Sequence, residues 1–283
     1  MSDRFTANKE TTLLPFLNTQ LKSWTRNNIK QRLKTGCVFV DGQSVTQFNH
    51  ELHIGSQVEV RASAKGISRG SNLLEILYSD RDLVAINKPA GLLSVATANE
   101  NREHALAILR NQLSRPQRPV KLWPVHRLDR DTSGVLLFAT SPKVREAVQE
   151  KWFSAEKTYL AIIERCPNPS QGTIDQPLWM DPEKYHMNVG SHPGAKNAIT
   201  HFNTLETNNN RALLEVQIET GRQHQIRAHL SWLGHPVIGD PRYGSEGPRL
   251  GLHALRLSIT RPDTGKQLTI ETPAPDDFSD LLR

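Results

Sequence analysis

From Leu74 onward, short apolar runs with the two-residue period of a strand alternate with stretches that carry the period of a helix, and this pattern constrains the fold most. Leu214, Val216 and Ile218 alternate with Glu215, Gln217 and Glu219; Leu255, Leu257 and Ile259 alternate with Arg256 and Ser258. Both runs read as strands with one buried face. Val135 to Phe138 and Tyr159 to Ile163 are apolar enough to be buried strands, and the runs at Leu74 to Tyr78 and Leu83 to Ile86 flank a polar turn, Ser79 to Asp82. Helical patterns fall at about His104 to Leu113, Lys143 to Phe153 and Gln223 to Leu233. Strands interleaved with helices in this way predict a mixed α+β domain.

The first sixty residues follow another plan. Leu13 to Leu21 and Thr25 to Lys34 read as two helices, with Thr25 as N-cap and Gly36 as stop. Asp41-Gly42 marks a hairpin turn between short β-rich runs, and Gln57 to Arg61 is a further alternating strand. Ala62 to Asn72 (ASAKGISRGSN) has the small, flexible composition of a linker. The expected layout is therefore a small domain over 1–61, a linker over 62–72 and a larger domain over 73–283. Between Glu10 and Asp41 there is no acidic residue. Arg26, Lys30 and Lys34 recur at i, i+4 and i+8 beside the apolar pair Ile29 and Leu33. Like charges without neighbouring carboxylates repel one another and favour phosphate, so these three are candidate phosphate contacts. The overall balance, 35 basic against 29 acidic residues and a net charge of +6, admits a polyanion partner without requiring one.

Several classes are excluded. No apolar run approaches the roughly 18 residues of a membrane span, and Met1 to Thr12 has no hydrophobic segment of a signal peptide. Cys37 and Cys166 form no C-x-x-C pair, which fits a reducing cytoplasm. Neither G-x-G-x-x-G, a P-loop nor H-E-x-x-H occurs, so no nucleotide cofactor is expected.

Three constellations could carry chemistry, one of them Glu156 to Ala161, which places the ring and hydroxyl of Tyr159 at the start of a strand, a position that equally suits core or rim packing. His126 to Gly134 (HRLDRDTSG) is a polar loop running into the buried Val135 to Phe138 run, with the carboxylates Asp129 and Asp131 beside His126, Arg127 and Arg130. A loop held by a core strand suits catalysis, and the same residues suit a salt-bridged turn. Ser133 lacks the G-x-S-x-G elbow of a serine nucleophile. Thr220 to His229 (TGRQHQIRAH) reads as a turn opening a helix with Arg222, His224, Gln225, Arg227 and His229, side chains that suit phosphate or a nucleotide edge. On a helix His224 and His229 would point about 140° apart, which disfavours a metal site.

Read together, the motifs resemble the RluA-type family of RNA pseudouridine synthases from about Leu74 to Phe278. The resemblance is carried by Val125 to Val135, Ile86 to Leu92 (INKPAGL), Lys157 to Ala161, Thr220 to His229, Gly234 to Asp240 (GHPVIGD) and Leu252 to Ala254, in the family's order. Residues 13 to 61 are similar to an S4 RNA-binding domain. The resemblance implies a mixed, largely antiparallel central sheet flanked by helices, with an S4-like α/β module ahead of it. It also implies that Asp129 is the catalytic carboxylate, that Tyr159 packs against the target uracil, that Arg227 pairs with Asp129, and that Arg127 helps displace the base. Arg222, His224 and Gln225 join the expected RNA contacts. The implied activity is isomerisation of uridine to pseudouridine without cofactor or metal. The expected partner is RNA, with ribosomal RNA favoured and transfer RNA as the alternative; a non-catalytic RNA-binding assembly factor is the rival reading, and the expected state is a cytoplasmic monomer.

Overall fold

A computed structural model describes residues 3–21, 24, 29–30, 33, 37–45, 47–60, 73–96 and 103–283. The chain forms two compact units, Met1–Leu73 on the one hand and Leu74–Ala98 with Glu103–Arg283 on the other.

In the first unit a four-stranded sheet runs in the order Asp3–Thr6, Gln57–Val60, Val38–Val40, Gln43–Ser44. Asp41 and Gly42 both take positive φ (50° and 83°), the left-handed pair that closes a two-residue hairpin, with Val40 opposite Gln43. The helix Leu13–Gln20 buries Leu13, Leu14, Phe16 and Leu17. Ile29 and Leu33 are helical and join them in one core, while Lys30, also helical, is exposed. The expected N-cap Thr25, the stop Gly36, the RNA contacts Arg26 and Lys34, and the linker over 62–72 lie outside the described residues.

The second unit is built on a ten-stranded sheet. Its main path runs Gln171–Asp175, Ile199–Asn208, Arg211–Ile218, Glu156–Glu164, Leu252–Thr260, Ser133–Ala139, Leu83–Lys88, Glu75–Ser79. Every described pairing in it is antiparallel except the short register Ser133 with His253 and Gly134 with Ala254. This is the mixed, largely antiparallel sheet that the sequence leads one to expect.

Ser133–Ala139 is buried along its whole length because both of its faces are covered. Leu136 and Phe138 pack with Ile86, Leu106 and Leu109; Val135, Leu137 and Ala139 pack on the other side with Leu83, Val125 and Val148. The helices Ala105–Leu113 and Pro142–Glu150 supply those covers, the latter opened by Pro142 and by Ser141 Oγ, which accepts the Val144 N–H at 3.2 Å. A third helix, Gln225–Trp232, seats Ile226 and Leu230 against Leu214, Val216 and Ile218.

Some boundaries differ from expectation. The 142–150 helix gives way to a 3-10 turn at Trp152–Ser154 inside the expected 143–153 helix, and the strands Leu178–Asp181 and His186–Val189 form a separate hairpin. The third helix starts at Gln225, since His224 has φ 50° and ψ 20° and stands just before it. The helical angle argument for His224 therefore does not apply.

Candidate active site

The loop from His126 to Thr132 is anchored at several points, which frees one side chain to face outward. His126 Nε2 accepts the Leu137 N–H at 3.1 Å, and burial lowers its pKa to about 4, so the imidazole stays neutral as a structural acceptor. Leu128 turns inward, its N–H donating to Ser94 Oγ (3.0 Å) and its carbonyl accepting from that hydroxyl (2.8 Å). Lys88, with no exposed surface, donates from Nζ to the carbonyls of Pro89 (2.9 Å), Leu92 (2.8 Å) and Arg130 (2.9 Å). Burial lowers its pKa to about 7 against the raising effect of Asp131 and Asp129. Arg130 and Asp131 pair with each other at the surface. Ser133 is buried and shares its hydroxyl with His253 Nδ1 (2.9 Å) and Arg249 (3.0 Å), a structural setting far from that of a nucleophile.

Held this way, Asp129 points into a cleft lined also by Arg127, Tyr159, Arg222, His224 and Arg227. Arg227 Nη1 donates to Asp129 Oδ2 at 3.0 Å, across 98 positions of sequence, and His224 Nε2 lies 3.8 Å from the same oxygen. Asp129 Oδ1 has no hydrogen bond to the described residues. A carboxylate with one oxygen tied and the other open is oriented for attack or for proton abstraction.

Tyr159 enters from Glu156–Glu164 at the point where its register against Leu252–Thr260 shifts, between Thr158 and Tyr159. Such an irregularity re-aims a side chain. Burial, followed by the negative charge of Asp129, raises the Tyr159 pKa, so its hydroxyl is neutral when it meets a ligand.

The Thr220–His229 segment divides its labour. Gln225 is buried: its carbonyl accepts from Thr220 Oγ1 (2.8 Å) and the Arg222 N–H (3.0 Å), and its amide donates to the Ile199 carbonyl (3.0 Å) and Thr200 Oγ1 (3.1 Å). Its polar atoms are thus engaged inside the fold, and the expected RNA contact at Gln225 is replaced by a structural task. His229 is likewise internal, 2.9 Å from Thr200 Oγ1 and 3.0 Å from the Gln176 carbonyl. Arg222 is exposed at the cleft, with Nε donating to the Asn197 carbonyl at 3.0 Å. Arg127 is exposed as well.

Two residues at the site were assigned no part by the sequence reading. Asp240 has no exposed surface and accepts from Arg227 Nε (2.7 Å) and Nη2 (2.8 Å). Burial works against the Arg227 cation, but the hydrogen bonds and charge of Asp240, then those of Asp129, raise its pKa above the ordinary value. Tyr243 Oη accepts the Met187 N–H at 2.9 Å and lies 3.0 Å from His224 Nδ1. Burial, despite nearby Asp129, lowers the His224 pKa and favours the neutral ring. The signal for Asp240 was present in the Gly234 to Asp240 motif, though nothing local in it names the residue across the cleft.

The sequence model of the family described as RNA pseudouridylate synthase matches residues 82–232, a span that contains Asp129, Tyr159 and Arg227. The chain is 32% identical to the protein named Uncharacterized RNA pseudouridine synthase YlyB of Bacillus subtilis, over 94% of this chain and 91% of the relative. It is also 32% identical to Ribosomal large subunit pseudouridine synthase D of Nitrosomonas europaea, over 93% and 81%. Among solved structures, human RNA Pseudouridylate Synthase Domain Containing 4 superposes with a TM-score of 0.61 at 28% identity, over 74% of this chain and 91% of that one. Human RNA Pseudouridylate Synthase Domain Containing 1 gives 0.62 at 26% identity, over 74% and 87%. With the family match spanning the Asp129 loop and the cleft helix, and with such identity along most of its length, this chain belongs to the RNA pseudouridylate synthase family of isomerases.

Proposed function

We propose that the protein converts specific uridines of large-subunit ribosomal RNA to pseudouridine, with Asp129 as the catalytic carboxylate. The observation that carries this reading is the pose of Asp129, with Oδ2 bonded to Arg227 and Oδ1 open to the cleft that Tyr159 lines. The reaction breaks the bond from the anomeric carbon to a ring nitrogen, turns the base and rejoins it through a ring carbon that loses its proton. It involves no net redox change. Asp129 serves either as the nucleophile at the anomeric carbon or as the base that opens a glycal-type route, and both uses need it ionised beside a cation. Tyr159 offers its ring to the face of the uracil. Because a stacked base hides its reacting atoms, the nucleotide is flipped out, and exposed Arg127 stabilises the vacated stack. Arg222 and His224 contact the RNA at the rim.

Ribosomal RNA is favoured by the relatives named as large-subunit enzymes, from Nitrosomonas europaea and, at 31% identity, Neisseria meningitidis. Residues 1–61 act as an S4-like RNA-binding module, joined by the 62–72 linker to the catalytic domain at 73–283, with Arg26, Lys30 and Lys34 on phosphates. A single chain supplies Asp129, Tyr159 and Arg227, consistent with a monomer working on RNA in the cytoplasm.

The test is tritium release from RNA labelled at the uracil carbon that loses its proton, with large-subunit ribosomal RNA and bulk transfer RNA compared in parallel. Release from ribosomal RNA that disappears in Asp129→Asn, with RNA affinity kept, is the expected result. Release from transfer RNA alone would overturn the substrate, and full activity in Asp129→Asn would overturn the assignment of the carboxylate.

A further inference from the structure

We propose that Trp179 and His192 form a stacking platform for an unpaired nucleobase of the substrate RNA, one that lies beyond the target uridine. The proposal rests on the reading of the Asp129 cleft as an RNA site. The two rings stack on each other, with centroids 4.2 Å apart and planes 14° from parallel. Trp179 is half-buried and His192 is exposed, so the indole backs one face of the imidazole and the other face is turned to solvent. An aromatic ring already held in place offers a base its π-face at little cost in side-chain entropy. His192 is held by its own loop as well. Its carbonyl accepts the Ala195 N–H at 2.9 Å, closing a turn in which Pro193 presets φ, and its Nδ1 accepts the Gly194 N–H at 3.0 Å.

The platform has a fixed place beside the cleft. Trp179 stands on the hairpin Leu178–Asp181 and His186–Val189, whose Leu178 and Met187 share a core with Ala228 of the cleft helix and with Tyr243. Leu178 and Lys196 exchange both backbone hydrogen bonds, at 2.9 and 2.8 Å, in an antiparallel pair. Asn197, the next residue, gives its carbonyl to Arg222 Nε at 3.0 Å, and Arg222 lines the cleft. Along that pair Trp179 lies two residues from the position facing Asn197, which is roughly 7 Å of extended chain. That is the scale of a nucleotide step in unstacked RNA, so a strand whose uridine enters the cleft brings a nearby base over His192. Lys196 and Arg222, both exposed, set cations along the same path for its phosphates. A ring face bordered by cations is the combination that binds single-stranded nucleic acid, and it tolerates any base because every base has a π-face. A base inside a duplex has both faces covered by its neighbours. The platform therefore favours uridines whose neighbour is unpaired.

The experiment is filter binding of the full chain over a range of salt concentrations, for wild type, His192→Ala and His192→Phe, with thermal melting in parallel. The probes are large-subunit ribosomal RNA, or transfer RNA if that is the RNA from which tritium is released, and a blunt-ended RNA duplex. His192→Ala is expected to weaken binding to the substrate RNA about fivefold or more with the log–log salt slope unchanged, because a stacked base releases no counterions. His192→Phe, which keeps a ring and loses both nitrogens, is expected to stay within about twofold of wild type, and duplex affinity is expected to be equal in all three proteins. Wild-type affinity in His192→Ala, a loss shared by His192→Phe, an equal loss on the duplex, or a slope that falls with the affinity would overturn the proposal. If His192→Ala does not melt as a folded protein, His192→Gln, which keeps an acceptor for the Gly194 N–H without a ring, takes its place with the same outcomes. Full tritium release in an Asp129→Asn control would instead overturn the reading of the carboxylate, a result read on chemistry and separate from binding.

Discussion

A lysine buried under a polar cleft loop works by its hydrogen bonds more than by its charge. Lys88 reaches three carbonyls that belong to two separate stretches of chain, and one of them is Arg130, next to Asp129. Replacing it by methionine leaves those acceptors unanswered, and Lys88→Met is expected to destabilise the protein by about 2–4 kcal/mol in chemical denaturation. The pH dependence has a definite sign. The folded-state pKa, lowered by burial to about 7, lies below the 10.5 of the unfolded chain, so between those values the unfolded state binds more protons. Wild type should therefore gain stability relative to Lys88→Met as pH rises from about 7 towards 10, and denaturation curves at pH 7 and pH 9 check this.

At the scale of elements, the Asp129 loop depends on how closely its outgoing strand approaches a neighbour. Gly134 has φ +113°, and a Cβ on it would lie 2.2 Å from the Ala254 carbonyl oxygen and within 2.8 Å of two more backbone atoms. Neither strand can yield, because Ser133–Ala139 is packed on both faces and Leu252–Thr260 is bonded to Glu156–Glu164, which brings in Tyr159. Gly134→Ala combines a strained φ with a backbone collision, and a loss of about 3 kcal/mol or more is expected. Activity should fall with it, since Asp129 and Tyr159 flank this contact; thermal melting and tritium release measured together test both effects. The strands themselves were legible in the sequence because alternation and apolar runs report burial directly. The edge strands Gln171–Asp175 and Gln267–Glu271 were not, since each exposes most of its side chains and has little pattern to read.

For the whole molecule, the question is what the basic residues of the first unit contribute to RNA binding. Reversing Arg26, Lys30 and Lys34 together to glutamate should weaken RNA binding and reduce the steepness of its salt dependence by about 2 in the log–log slope, because each phosphate contact releases condensed counterions. The single-turnover rate at saturating RNA should stay at the wild-type value, as none of the three lies in the unit that carries the Asp129 cleft. Filter binding from about 50 to 200 mM salt, beside single-turnover assays, separates the two effects.

By itself the sequence determined the alternation of strands and helices, the polar loop at His126 to Gly134 and the residue types able to act on a nucleotide, because each is written in neighbouring positions. The partnership of Asp129 with Arg227 was named through family resemblance, and its geometry came only with the fold. Tertiary structure alone decided that Gln225 and His229 face inward, that His224 sits in a left-handed cap outside the helix, and that Asp240 and Tyr243 stand behind Arg227 and His224. The physical reason is range: periodicity and turn chemistry act over a few residues, whereas a buried ion pair is set where segments distant in sequence are packed together and water is excluded.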